Sequence, residues 1–456
     1  MLRIVSILLG FVAFLTAWLL TRTLYLAPPP ATWYALLPIV LVILTWMAVT
    51  RYSGWRWALA ECTAAILAAW PLTFAIWPPG TDPADAGDEF LVPVSLNIPE
   101  ALTRTSGDLP QTLKAVPGLK ISVFADGLQT PRMLTFSPAG DLYVSLPRSG
   151  VIVVLPDRNR DGVADRQEIF ARNLDLPHGL AFDGNALIVA ENGSLTRLSD
   201  RDGNLQADHS EVLSADLPAG GGHWTRSVVI GSTGDFLVAA GSSCNVCLEN
   251  DPRRAAIIRI PATGGSADIF ASGLRNSVGL AFHPETGELW GSDNGRDRLG
   301  DDLPPEEINR IVQGADYGWP FCYGRRIPDP DLGSTTRCNR TEPPAVEMQA
   351  HSAPLGIAFG HRLDFPNSYR NMLYVAFHGS WNRTIPTGYK LVGIPFTDGR
   401  PSGPPQNIVS GWLKGRRAWG RPVCPAVGPD GALYLSDDRA GIIYRITMGD
   451  ESSEGR

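Results

Sequence analysis

Three short motifs carry residues that make poor strand fillers but good active-site groups: His223, the pair Arg275-Asn276, and Arg421. A fourth residue, His178, occupies a comparable place. An imidazole with an ordinary pKa near 6.5 is the usual general base at neutral pH, and guanidinium groups suit planar carboxylates. One base and two Arg brought together would accommodate a flat polyanion and remove a proton beside it. Two Asp-rich loops point to a different chemistry. Asp157, Asn159, Asp161, Gly162, Asp165 and Glu168 fall at positions 1, 3, 5, 6, 9 and 12 of the calcium-loop pattern. Asp200, Asp202, Asn204, Asp208 and Glu211 repeat it without the glycine at six, from a start 43 residues later. Hard oxygens at every second residue suit a stapling Ca2+, and the blander alternative is a solvated Asp/Asn turn.

The elements that position these residues form a repeat. Thr130 to Phe136, Leu176 to Phe182, His223 to Ile230, Arg275 to Phe282, Pro354 to Phe359 and Arg421 to Val427 align as a polar lead-in followed by an apolar strand. Most are followed by a Gly/Asp/Asn turn and then a second alternating strand such as Leu142-Tyr-Val or Leu433-Tyr-Leu. The anchor positions 136, 182, 230, 282, 359 and 427 are separated by 46, 48, 52, 77 and 68 residues. A period in the forties with short strands predicts a β-propeller, and six anchors imply six blades. His223, Arg275-Asn276 and Arg421 stand at one phase of this repeat, where the blades of a propeller converge on the channel mouth. The two long intervals place insertions that would wall or cover one end of the channel.

The first eighty residues are of another kind. Apolar runs at 4–20, 33–50 and 57–77 each approach the roughly 20 residues that cross a bilayer. Arg3, Arg51 and Arg56 flank the runs on one side, and no Lys or Arg lies at 78–90. The positive-inside rule then puts the N-terminus in the cytoplasm and everything after about residue 80 outside. The expected fold class is an all-β six-bladed β-propeller preceded by three transmembrane α-helices. Its parts are a membrane anchor at 1–80, a linker at 81–114, the propeller at 115–448 and a polar tail at 449–456. Glu61 sits about one turn inside the third run, either as a functional group or snorkelling to the interface. The anchor carries a net +3 of the chain's −7, leaving −10 on the remainder, which argues against a nucleic-acid partner. Of six cysteines, Cys62 is in the third run. Cys244-Asn-Val-Cys247 reads as a structural disulfide, there being no second close Cys/His pair to complete a zinc site. A Cys322 to Cys338 bridge would close a loop worth about 3 kcal/mol. One outer cysteine is left over.

Gly273-Leu-Arg-Asn-Ser-Val-Gly-Leu-Ala-Phe282, then Ser292-Asp-Asn-Gly-Arg296, Glu306-Glu-Ile-Asn309 and Asp316-Tyr-Gly-Trp-Pro320, resemble the core of the pyrroloquinoline quinone (PQQ)-dependent soluble glucose/sorbosone dehydrogenase family. The resemblance spans roughly 115–448. His223-Trp-Thr-Arg226 and Gly241-Ser-Ser-Cys-Asn-Val-Cys247 are closer to the sorbosone branch. It implies a six-bladed propeller holding PQQ and Ca2+ over the channel, with His223 as catalytic base and Arg275 and Asn276 on the quinone. Gly295 and Arg296 would offer backbone carbonyls to the catalytic Ca2+, and Arg421 would pair with a PQQ carboxylate. The family's lysine clamp has no clear counterpart near His378-Gly-Ser-Trp-Asn-Arg383, where Arg383 or Lys390 would substitute. His178 joins Arg383 in the expected cofactor-binding set. The implied activity is oxidation of a sugar or sugar-derived aldehyde at the outer face of a bacterial inner membrane, in the periplasm. Electrons would pass to a membrane quinone or another acceptor, and the membrane lipid is a partner.

Two other readings use the same residues. A calcium-dependent hydrolase or lactonase propeller would recruit Asp293, Asn294 and Glu307 to a metal at the channel mouth. A membrane-tethered binding propeller would use the repeats as a ligand platform.

Overall fold

Each apolar anchor becomes the first strand of an antiparallel meander: Leu134–Phe136, Gly179–Asp183, Arg226–Ile230, Ser277–Phe282, Pro354–Phe359 and Pro422–Val427. The computed structural model describes residues 88, 90–99, 102 and 112–449. Two compact units are distinguished, Met1–Pro83 with Arg298–Asp301 and Ala84–Asp297 with Asp302–Arg456. All described strands belong to the second.

Four meanders, at 134–171, 179–214, 226–272 and 277–348, are separate four-stranded sheets. The other two are the ends of an eleven-stranded sheet. One end runs from Pro354–Phe359 through Met372–Phe377 and Lys390–Thr397 to Gln406–Ser410. The other runs from Pro422–Val427 through Leu433–Asp437 and Ile442–Met448 to Leu119–Ala125, so an early strand completes the last meander. The six first strands touch their neighbours in a closed ring, which makes the fold propeller-like.

Adjacent meanders bury their facing apolar side chains. Tyr143, Ile152 and Val154 of the first pack on Leu180, Leu187 and Val189 of the second. Each fully buried Val, Leu or Phe is worth about 1.5–3 kcal/mol, so these seams hold the ring together. A serine at the fourth place of several second strands joins seam to seam. Ser145, Ser292 and Ser436 are fully buried. Their hydroxyls accept from the N–H groups of Met133, Gly279 and Cys424 in their own meanders. Ser292 and Ser436 then donate to the carbonyls of Leu355 and Arg132 in the next one. This locks the start of one first strand to the start of another.

The segment expected as a linker differs from that expectation. Val92–Asn97 pairs antiparallel with Thr112–Ala115 and parallel with Leu119–Ala125, bridging the fifth and sixth meanders. Its alternation is short and interrupted by Pro93, which hides it in the sequence. Asp88 fixes its approach by accepting from Asn407 Nδ2 at 2.7 Å and Ser410 Oγ at 2.6 Å. The three expected membrane spans, Glu61 and Cys62 lie outside the described residues. Among the described residues no helix is long and apolar enough to cross a membrane.

Candidate functional site

First strands begin, and second strands end, at the same mouth of the ring, because the two are antiparallel neighbours. The residues leading into first strands include Arg132, His223, Arg275-Asn276 and Arg421. Those leaving second strands include Arg148, Asn294-Gly295, His378 and Asp438-Arg439. Both sets line one cavity of about 580 Å3. His223, Arg275 and Arg421 thus border one common hollow.

His223 is held from behind. Its Nδ1 lies 2.9 Å from the Ser242 carbonyl and 2.8 Å from Ser242 Oγ. The Ser242 hydroxyl donates to the Cys244 carbonyl at 2.7 Å. A carbonyl only accepts, so Nδ1 carries the proton and Nε2 is left as the basic nitrogen. Burial, with Arg275 adding its charge, pushes His223 down to about 3, so the ring is neutral well into the acid range.

Arg275 is buried and fixed by Asn245, Asn294 and Asp297. Its neighbour Asn276 donates its N–H to Asp293 and leaves Oδ1 buried with no protein partner. A buried acceptor without a donor is costly unless a ligand or water supplies one. Gly241 faces this pair. A Cβ there would stand 2.6 Å from both Asn276 Oδ1 and His223 Cβ, so only glycine lets the strands approach this closely. Arg421 donates from Nε and Nη2 to the carbonyls of His378 and Gly379 at 3.0 and 2.8 Å.

The cavity is also lined by a cluster absent from the sequence-predicted set. Arg132 Nη1 donates to Asp438 at 2.8 Å, and His378 Nε2 lies 3.0 Å from both Asp438 oxygens. Burial pushes His378 down to about 4 against the pull of Asp438. Burial would raise Asp438, but its bond to His378 and the charge of Arg132 hold it well below the usual carboxylate range. Arg132 Nε and Thr130 Oγ1 are buried without protein partners. Thr130, His351 and Ala353 line the same cavity at φ values of 52°, 64° and 53°, where side chains are strained. Trp381 stands 70% exposed at the lip, beside Asn382, whose Nδ2 donates to Asp297. A recurring signal could have found the exit residues: Leu-aromatic-x-Ser-Asp closes two second strands, at Asp293 and Asp437. Both Asp side chains accept from the N–H groups of the lead-in residues Arg275 and Arg421.

Some expected residues are elsewhere. His178 is fully buried behind the wall, with Nδ1 near the Arg226 carbonyl and its ring edge-on to Trp224. Trp224 of the next meander packs on its ring and lines the cavity, whereas His178 does not. Arg383 is drawn away to the Ala350 carbonyl and Asp302. Gly295 lines the cavity, while the Arg296 guanidinium is turned to Asp329 and Asp331 of the inserted segment after the fourth meander's third strand. Among the described residues the Gly295 carbonyl accepts no hydrogen bond, and its N–H donates to Glu306. Asp293 and Glu307 are raised to about 7 and about 8 by burial, and their oxygens are occupied by N–H, hydroxyl and amide donors. They pin strands and present no open metal set for a hydrolase.

The Asp-rich loops sit far out on their meanders. Asp157, Asp161 and Asn159 accept from N–H groups of their own loop, and so do Asp200, Asp202 and Asn204. The twelfth-position acids leave the loops, Glu168 pairing with Arg166 and Glu211 with Arg197. Asp200, Asp202 and Asp208 keep ligand oxygens within 4.8 Å of one another. Two disulfides form, Cys244 to Cys247 and Cys322 to Cys338, and the leftover cysteine is the buried Cys424.

Residues 113–449 match the family described as TrAA12-like. The chain belongs to that family. A curated relative is the pyrroloquinoline quinone-dependent sugar dehydrogenase of Hypocrea jecorina, 24% identical over 416 residues that cover 75% of this chain and 90% of that protein. Two solved structures share the fold. The holo form of the pyranose dehydrogenase PQQ domain from Coprinopsis cinerea has a TM-score of 0.64 at 21% identity, covering 77% of this chain and 100% of that one. The calcium structure of the Trichoderma reesei family AA12 enzyme has a TM-score of 0.63 at 24% identity, covering 74% and 97%. The TrAA12-like cavity is electrostatically distinctive. Arg132, Arg148, Arg275, Arg421 and Arg439 line it against Asp297, Glu306 and Asp438, in a chain whose net charge is −7. A TrAA12-like site with this lining suits an anion with several planar acceptor groups.

Proposed function

We propose that this TrAA12-like chain is a quinoprotein dehydrogenase that oxidises a sugar or sugar-derived aldehyde with bound PQQ and Ca2+. The observation that carries the reading is His223, fixed as a neutral base by Ser242 on the wall of an Arg-ringed cavity. The donor set suits the cofactors. A planar tricarboxylate matches the surplus of guanidinium groups, and a cavity of about 580 Å3 is within the usual range for a ligand of that size. Arg275, Asn276 and Arg421 would hold PQQ, with Asn276 Oδ1 and Arg132 Nε as the buried atoms still wanting partners. The Gly295 and Arg296 carbonyls are hard oxygens of the kind Ca2+ takes.

When bound, PQQ supplies a two-electron acceptor and Ca2+ a Lewis acid that polarises it. The chain's own groups do the rest. His223 Nε2 takes the proton of the substrate hydroxyl while Nδ1–H stays on the Ser242 carbonyl, so the ring needs no change of tautomer. Arg275 and Arg421, whose donors are partly spent on carbonyls, stay in place and balance negative charge at the mouth. Trp381 offers an exposed aromatic face at the lip.

The finer features belong to the same proposal. Four separate sheets and two four-strand runs support a count of six blades. The apolar runs at 1–80 support a three-span anchor in a bacterial inner membrane, a periplasmic propeller, and delivery of electrons to a membrane quinone or another acceptor. The second Asp-rich loop is read as a calcium staple on its three convergent acids, and the first on its sequence pattern. The test is reconstitution of the apoprotein with PQQ and Ca2+, followed by aldoses and aldehydes with a dye acceptor. A bound quinone spectrum bleached by substrate is expected. Absence of PQQ uptake, or ester or lactone turnover without it, overturns the reading.

A further inference from the structure

The loop between Ser242 and Glu249 holds both principal residues of the mouth, and none of its own side chains lines the cavity. Asn245 accepts two of the Arg275 donors, Nε on its carbonyl at 3.0 Å and Nη2 on Oδ1 at 2.9 Å. The same Oδ1 accepts the Asp297 N–H at 2.8 Å, and Asn245 Nδ2 donates to the Asp297 carbonyl at 3.1 Å. One amide thus copies a strand pairing with Asp297 while its backbone takes the guanidinium. The Cys244 carbonyl, one residue earlier, holds the Ser242 hydroxyl against His223. Among the described residues, positions 244–247 make no backbone-to-backbone hydrogen bond. Their shape rests on the Cys244 to Cys247 bridge and on the Asn245 side chain.

The geometry points to Asn245, braced by the Cys244 to Cys247 disulfide, as the positioning residue that aims Arg275 at the cofactor and steadies His223. The inference rests on the functional reading above. Without the brace, Arg275 loses the pair of acceptors that fixes its plane, and only Asn294 and Asp297 remain to orient it. Outer-shell partners of this kind are worth about ten- to a hundredfold in affinity or activity.

Asn245→Ala and the double variant Cys244→Ser/Cys247→Ser are titrated as apoproteins with PQQ in the presence of Ca2+, following tryptophan fluorescence. Affinity about ten- to a hundredfold below wild type is expected for both. Asn245→Asp keeps the Oδ1 acceptor and recovers part of the loss, while Val246→Ala, which keeps both the Asn245 side chain and the bridge, binds as wild type. In the wild type, a dithiol reductant gives the bridge two electrons and two protons, becomes a cyclic disulfide itself, and, once removed before PQQ is added, leaves a protein that reproduces the double variant. A second readout needs no cofactor. Arg275, Arg226 and Arg254 face His223, so freeing Arg275 in Asn245→Ala moves the ring's titration, followed by NMR, upward. Wild-type PQQ uptake with affinities unchanged in both variants overturns the clamp. If wild type takes up no PQQ the functional reading fails, and the His223 titration alone decides: an unshifted midpoint overturns the clamp as well.

Discussion

The channel mouth and the Asp-rich outer loops are both dense in polar residues, yet they are opposites. At the mouth, polar groups come from five of the six meanders, most of them buried or half-buried, and leave Asn276 Oδ1, Arg132 Nε and Thr130 Oγ1 without partners. In the loops, Asp200 is half-buried and Asp202 exposed, and both accept from N–H groups within a few residues. A chain can place polar residues locally at little cost, since Asx turns are self-sufficient. At the mouth Thr130 has both a buried hydroxyl without a partner and a backbone φ of 52°, a combination that persists where the surrounding structure compels it. The difference teaches that the mouth is built for something the protein does not itself supply.

The largest effect that would sharpen this contrast is at His223. His223→Ala removes the base, and kcat should fall by about 10² to 10⁴ while PQQ affinity, read by the same titration, stays near wild type. Near-normal turnover would remove His223 from the mechanism. Next comes Arg421→Met, which deletes a cation without touching the base. One charge-assisted hydrogen bond is worth about 1.5–3 kcal/mol, so cofactor affinity should drop by roughly ten- to a hundredfold, measured by equilibrium dialysis. An unchanged dissociation constant would place Arg421 outside the cofactor site.

The same contrast explains what the sequence disclosed. First strands were legible because the Leu-Ala-Phe and Val-Val-Ile stretches repeat with polar lead-ins, and those lead-ins proved to be half of the mouth. The other half was hidden. Arg148, His378 and Asp438 follow second strands as polar residues of differing type, and only the antiparallel register shows that they must face the lead-ins. His178 misled for the converse reason: it has the right phase, but Trp224 from the next meander covers it. Val92–Asn97 escaped notice because a strand that bridges two sheets needs no long alternation of its own.

A smaller effect is the pH profile. Because burial and Arg275 lower His223 to about 3, kcat/KM should show no loss from protonation of this base as pH falls from 6.5 to about 4. Arg275→Met should move that acid limb upward, and a limb near 6.5 in the wild type would contradict the burial seen here. The sign for stability is separate. The unfolded chain binds a proton at His223 below about 6.5, whereas the folded chain does not until about 3, so this residue destabilises the fold progressively as pH falls through that window.

The smallest effect on catalysis is at the outer loops, and it tests the comparison from its other side. Asp200, Asp202 and Asp208 converge within 4.8 Å, and three carboxylates so placed repel one another unless a cation joins them. A cation that binds only the folded chain stabilises it by about 2.7 kcal/mol at a hundred times its dissociation constant. Added Ca2+ should therefore raise the melting temperature of the apoprotein, and Asp200→Asn/Asp208→Asn should lose most of that rise. The Asn oxygens still accept the Gly203 and Asn204 N–H groups at position 200 and that of Arg201 at position 208, losing only the bond from Leu205, so the loop keeps most of its turn and kcat of the reconstituted enzyme stays within about twofold, as expected of a surface change away from the chemistry. Equal calcium-dependent stabilisation of wild type and double variant would leave the loops as plain Asx turns. A large loss of kcat would mean that the loops and the mouth are coupled, and that the division between them is wrong.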